Sequence, residues 1–175
     1  MRAVIDTNVL LVANGAHAGV SPDCVLECIE RLEALMKHGR VVIDDAHLIL
    51  GEYKKRTSPV KTKGVGDVFL KWLLQRSANP SHVEQVPLKS STHQVFENFP
   101  DEALQAEVDP PDRVFLATAA EHPQRPRVWQ AADCKWLDWA QRLKAAGVTV
   151  EFLCPNDVCR IYKKKFPQKA LPLLP

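Results

Sequence analysis

The sequence has no apolar run approaching the roughly 18 residues that a membrane-spanning helix needs, so no membrane association is expected. The stretch after Met1 lacks the basic, then apolar, then small-residue layout of a secretory leader, and the expected location is the cytoplasm. Net charge is scarce too: 23 Lys and Arg against 21 Asp and Glu leave +2, too little by itself to imply a nucleic-acid partner. There is no internal repeat and no linker long enough to split domains. The six histidines show no metal-ligand spacing. No paired-aspartate phosphatase nucleophile follows the first strand, because Thr7 and Asn8 come directly after Asp6. Five cysteines, Cys24, Cys28, Cys134, Cys154 and Cys159, are odd in number and are read as buried reduced thiols. A structural zinc held by Cys24, Cys28, Cys154 and Cys159 is the alternative.

What is present fits one globular domain: 175 residues, 46% apolar and 25% charged. The domain is read over residues 1–166, with 167–175 as a C-terminal tail that is extended against the body or frayed. Short β-branched runs predict strands at Arg2–Ile5, Val41–Ile43, Val83–Val86, Val128–Ala131 and Val148–Leu153. Helical periodicity fills the gaps. Val25, Leu26, Ile29, Leu32, Leu35 and Met36 mark one helix, with Ser21 as its N-cap and Pro22 in its first turn. Further helices follow Asp44–Asp45, centre on Val68–Leu73, start after Pro110–Pro111, run from Trp136 to a stop at Gly147, and close the chain around Val158–Tyr162. The stretch from Thr57 to about Pro100 reads as less regular. Alternating strands and helices predict an α/β fold, a three-layer sandwich around a mainly parallel sheet. In such sheets ligands gather beyond the carboxyl ends of the strands.

Acids collect at that edge. Asp6 ends "AVID", Asp44 and Asp45 end "VVIDD", and Asp133 ends "VWQAAD". Glu52 lies one turn into the second helix and Asp112 just inside the helix of "DPPDRVFLATAA". Asp44 or Asp45 and Asp109 are explained as helix caps, and Glu52 could simply pair with Lys55 or Arg56. Asp6 resists that explanation most, because "TNVLL" continues apolar and needs a cap less.

Taken together, Asp6, Glu52, Asp112 and Asp133 would form one pocket. Two carboxylates 4 Å apart repel by about 4 kcal/mol at an effective dielectric near 20. Four of them approach the roughly 5–15 kcal/mol total stability of a small domain. Such a cluster protonates or binds a cation. All-oxygen donors select a hard ion, Mg²⁺ or Mn²⁺, and so point to metal-assisted phosphodiester hydrolysis. The basic residues Lys54, Lys55 and Arg56 extend from Glu52, where a nucleic-acid backbone would run. A second basic cluster, Arg160, Lys163, Lys164, Lys165 and Lys169, has no evident partner.

"VIDTNVLL", "VVIDDAHLILGEYKKR", "DRVFLATAA" and "AADCKWL", in this order, resemble the PIN-domain family. Its nuclease fold is shared by many bacterial toxin ribonucleases and by eukaryotic RNA-processing factors. The resemblance covers nearly the whole chain and is weakest over 58–100. It implies Asp6 as first metal ligand, Asn8 as a polar partner orienting it, and Glu52, Asp112 and Asp133 completing a catalytic, metal-binding set. It implies Mg²⁺ or Mn²⁺ as cofactor, RNA as substrate, an antitoxin protein as possible partner, and a homodimer. Members often carry another acid two residues after the last one, where this chain has Lys135; Asp138 lies too far along the helix to replace it. The expected function is a metal-dependent endoribonuclease, plausibly the toxin of a toxin–antitoxin pair. Alternatives are a non-catalytic RNA-binding or scaffold module and a structure-specific DNA nuclease.

Overall fold

The computed structural model describes residues 1–61, 63–92 and 94–175. Thr62 and His93, both within the stretch read as irregular, lie outside the described residues. The fold is α/β, built on a five-stranded parallel sheet in the order β3-β2-β1-β6-β7. Its strands are β1 (Arg2–Ile5), β2 (Arg40–Asp44), β3 (Val83–Val86), β6 (Arg127–Gln130) and β7 (Val150–Phe152). A two-stranded antiparallel hairpin, β4 (Ser90–Thr92) with β5 (Val95–Phe96), stands apart from it. The flanking helices are α1 (Thr7–Ala13), α2 (Pro22–His38), α3 (Leu48–Arg56), α4 (Val65–Arg76), α5 (Glu102–Glu107), α6 (Arg113–Glu121), α7 (Trp136–Ala145) and α8 (Pro155–Lys165).

The central strands β1, β2 and β6 carry consecutive buried apolar residues because helices cover the sheet. Ala3–Ile5, Val41–Ile43, Val128 and Trp129 are essentially inaccessible to solvent. α1, α2 and α4 pack on one another, α6 lies against β1, β2 and β6, and α7 against β7. Ser21 accepts from the Cys24 N–H at 3.2 Å and so caps α2 as its sequence predicts. The carboxylate of Asp44 accepts from Leu48 N and Ile49 N at 2.7 and 2.8 Å, which starts α3. Gly147, at φ +85°, terminates the α7 turn. The tail lies along α7, whose Gln141 amide donates to the carbonyls of Leu173 and Leu174. Trp129, Trp136 and Trp139 are buried in the core.

The sheet order places β1 at a topological switch. The chain leaves β1 for β2 on one side and returns much later as β6 on the other, with Ile5 opposite Trp129. The splayed loops beyond the carboxyl ends of these two strands form the crevice in which such sheets bind ligands.

Three features depart from expectation. α1, α5 and the β4–β5 hairpin are too short to produce a periodic signal, so the sequence does not reveal them. β6 ends at Gln130, which leaves Asp133 in the following loop rather than at the strand end. The expectation of five reduced thiols is corrected: Cys24 and Cys154 form a disulfide across 130 residues, and Cys28, Cys134 and Cys159 are free. The fold brings the first turn of α2 against the N-cap of α8, a proximity that cysteine count cannot convey. The four-cysteine zinc site is likewise not assembled. Only Cys28 joins the bonded pair, its Sγ 3.9 Å from that of Cys154. Among the described residues no helix is long and apolar enough to cross a membrane.

Candidate active site

Asp6 is the residue at which β1 becomes α1. Its backbone N–H continues the ladder to Trp129 O at 2.9 Å, and its side chain is almost wholly buried. Oδ1 accepts from the Asn8 backbone N–H at 2.9 Å and from the Gln130 Nε2 at 3.1 Å. The first of these bonds makes Asp6 the N-cap of α1, a role the sequence had seemed not to need. Capping uses one carboxylate oxygen and leaves lone pairs on the other. Asn8 bonds Asp6 through its main-chain N–H, its side chain also favours the charged carboxylate, and the residue lines the adjoining cavity.

That cavity, of about 540 Å³, opens at the switch point. Asp6, Glu52, Asp112 and Asp133 all line it, as do Lys55 and Arg56. Each acid arrives on a different element. Glu52 projects from α3 and accepts from Lys55 Nζ at 2.6 Å. Asp112 ends the 3-10 turn Pro110–Asp112, whose prolines preset the first helical turn, and it accepts from Trp136 Nε1 at 3.2 Å. Asp133 accepts from the Lys135 N–H at 3.1 Å, and its own N–H donates to Gln130 Oε1 at 3.0 Å. All three residues of the basic triplet are exposed, and Lys54 alone lies off this wall.

Two further residues, one of them expected only as a cap, belong here. Gln130 is fully buried and its amide joins Asp6 to the Asp133 loop; a Gln inside an apolar strand run was the available signal. Asp109, expected to cap, makes no side-chain cap bond. It lines the cavity instead and pairs with Lys135 Nζ at 2.5 Å. Lys135, standing where the resembled family often has an acid, thus places an ammonium beside the cluster. Asp138 accepts from Tyr162 OH and Lys169 and takes no part in the cavity.

Burial dominates the electrostatics. It pushes the Asp6 carboxyl up to about 7, with the Asp133 charge adding to the effect and the Asn8 N–H opposing it. Burial also pushes Asp112 up to about 8, reinforced by the charges of Asp6, Asp133 and Asp109. Beneath them the buried Tyr53 hydroxyl donates to Ile5 O at 2.5 Å, and burial with the charges of Asp6 and Asp44 keeps it protonated. Near neutral pH, Asp6 and Asp112 therefore either hold protons or need a cation.

The donor set suits a hard divalent ion, being carboxylate throughout. It is not a tight cage. Among the described residues, the only three His, Cys, Asp or Glu ligand atoms mutually within 4.8 Å are the sulfurs of Cys24, Cys28 and Cys154. Mg²⁺ retains much of its water and takes few direct carboxylate ligands, so such an ion would not need a tight cage. Neither a family model, nor a curated protein, nor a solved structure matches this chain.

Proposed function

We propose that the protein is a metal-dependent nuclease that hydrolyses phosphodiester bonds in RNA. The observation that carries this reading is the convergence of Asp6, Glu52, Asp112 and Asp133, from four separate elements, on one open cavity flanked by Lys55 and Arg56. The order of the acidic motifs, which resembles that of PIN-domain nucleases, supports it.

In this reading Asp6 and Asp112 would hold Mg²⁺ or Mn²⁺, with Glu52 and Asp133 acting through bound water. Such an ion lowers the pKa of a coordinated water and offsets charge developing on a phosphate. The chain's own groups do the remainder. Gln130 and the Asn8 N–H both bond one oxygen of Asp6, which leaves the second oxygen free of these two bonds. Trp136 does the same for Asp112. Lys55 and Arg56 draw a polyanionic backbone toward the acids, which would otherwise repel it. No side chain is required as a covalent nucleophile.

A single-stranded RNA labelled at one end tests the reading. Wild type should cleave it with millimolar Mg²⁺ or Mn²⁺ and not with EDTA, and Asp6→Asn and Asp112→Asn should abolish cleavage. RNA binding without cleavage would instead favour a scaffold module, a reading to which the loose carboxylate spacing and the Lys135–Asp109 pair lend some weight. The toxin role adds a cytoplasmic setting and an antitoxin that masks the cavity. Growth arrest on expression of wild type, absent with Asp6→Asn, is the result it requires.

A further inference from the structure

Beside the acidic cavity lies a second, more enclosed one of about 170 Å³, and the two share Glu52, Lys55, Pro110 and Pro111. Its walls differ in kind. Leu48, Phe96, Val114 and the two prolines offer apolar surface, and His47, Gln94 and the Glu52–Lys55 pair bring polar groups to it.

Two observations single this space out. The first is Gly51, inside α3 and on the cavity wall. A helical glycine destabilises relative to alanine, so it calls for a reason. At Gly64 and Gly66 the reason is packing, since an added Cβ would come within 2.5 Å of Asn14 and 2.2 Å of the Leu10 carbonyl. At Gly51 an added Cβ would meet nothing within 4 Å. No neighbour requires glycine there, and the position gives onto open space beside the cavity. The second is backbone conformation. His47 at φ 60° and Gln94 at φ 61° are left-handed non-glycine residues from unconnected parts of the chain, and both line this cavity. Such residues are uncommon and gather at ligand clamps, where surrounding structure imposes them.

We propose that this cavity is a nucleobase subsite, receiving the unpaired base next to the phosphate held at the acids; the identity of that phosphate rests on the nuclease reading. Single-stranded RNA is read by splaying bases into apolar slots and bonding their edges. The prolines and Leu48 suit the faces of a base. The Gln94 carboxamide, both donor and acceptor, suits its edge. Lys55 stands on the wall common to the two cavities, between base and phosphate.

Calorimetric titration with the four nucleoside 5′-monophosphates and with ribose 5-phosphate, in Mg²⁺ and in EDTA, tests the assignment. At least one nucleotide should bind tenfold or more tightly than ribose 5-phosphate. Gly51→Phe, which fills the cavity, should bring that nucleotide within twofold of ribose 5-phosphate and leave ribose 5-phosphate itself unchanged. Gly51→Ala should fold and melt at or above the wild-type temperature. Should Gly51→Phe not fold, Gln94→Asn keeps a residue tolerant of left-handed backbone and withdraws the amide by one carbon. It should weaken the preferred nucleotide at least fivefold and spare ribose 5-phosphate. Equal binding of nucleotides and ribose 5-phosphate overturns the subsite, as does discrimination that survives both variants. Base discrimination without any Mg²⁺ effect keeps the subsite and sinks the nuclease reading; Mg²⁺-dependent ribose 5-phosphate binding without discrimination does the reverse.

Discussion

Gln130 donates its Nε2–H to Asp6 Oδ1 across 3.1 Å inside the protein, and the same amide accepts the Asp133 N–H through Oε1. One neutral side chain thus sets the separation between two acids that repel each other. Gln130→Leu should leave Asp6 Oδ1 and the Asp133 N–H short of partners. That costs about 1–3 kcal/mol, read by urea unfolding. Cleavage should fall further than stability does, because the loop of Asp133 loses its anchor.

Stability of the metal-free protein should decline between about pH 4 and pH 8. The folded-state pKa values of Asp6 and Asp112, about 7 and about 8, lie above the ordinary value of 3.8. Below pH 4 both states are protonated and the stabilisation is fully present. As pH rises, the unfolded chain ionises first, and the advantage is lost through the folded pKa values. Added Mg²⁺ should raise the melting temperature more at pH 8 than at pH 5.5. Asp6→Asn keeps an acceptor for the α1 cap, removes one charge and should flatten the profile. An equal Mg²⁺ effect at both pH values would argue against the two buried acids as its ligands.

Reduction should release the link between α2 and α8. Closing a loop of 130 residues puts Cys24–Cys154 in the range of about 2–5 kcal/mol in the chain-entropy account. The melting temperature in a thiol reductant should drop by several degrees, and alkylation in denaturant should count three thiols before reduction and five after. The cytoplasm keeps most such pairs reduced. Trapping thiols directly in cells therefore tests the proposed cytoplasmic setting separately from the fold.

Charge reversal separates the basic residues. Lys55→Glu and Arg56→Glu should each weaken RNA binding and shallow its dependence on log salt by about 0.7 per lost phosphate contact. Lys54→Glu, off the cavity wall, should change the slope little. Three identical slopes would mean that the triplet acts only through net charge.

Much of the sheet is legible in the sequence because its central strands are short apolar runs buried on both faces, while the edge strands β3 and β7 mix apolar and polar residues. Asp6, Asp112 and Asp133 stand out in the sequence because each lies near an element boundary where an apolar pattern breaks, whereas Glu52 sits in the middle of α3. What periodicity could not supply was contact between distant segments. Gln130 reads as one polar residue in a strand until Asp6 is opposite it. Asp109 reads as a cap until Lys135 is beside it. Cys24 and Cys154 read as thiols until α2 and α8 meet.

The insertion of β6 beside β1 also bears on when activity can arise during synthesis. Asp6 and Gln130 are 124 residues apart, and β1 pairs directly with β6 in the finished sheet. A nascent chain that has built β1, β2 and β3 already holds Asp6 and Glu52, yet it has no strand on the far side of Asp6 and no Asp133. The cavity closes only once most of the polypeptide has left the ribosome. On the proposed nuclease reading, a chain assembled in that order has no complete cavity while most of it is still being made.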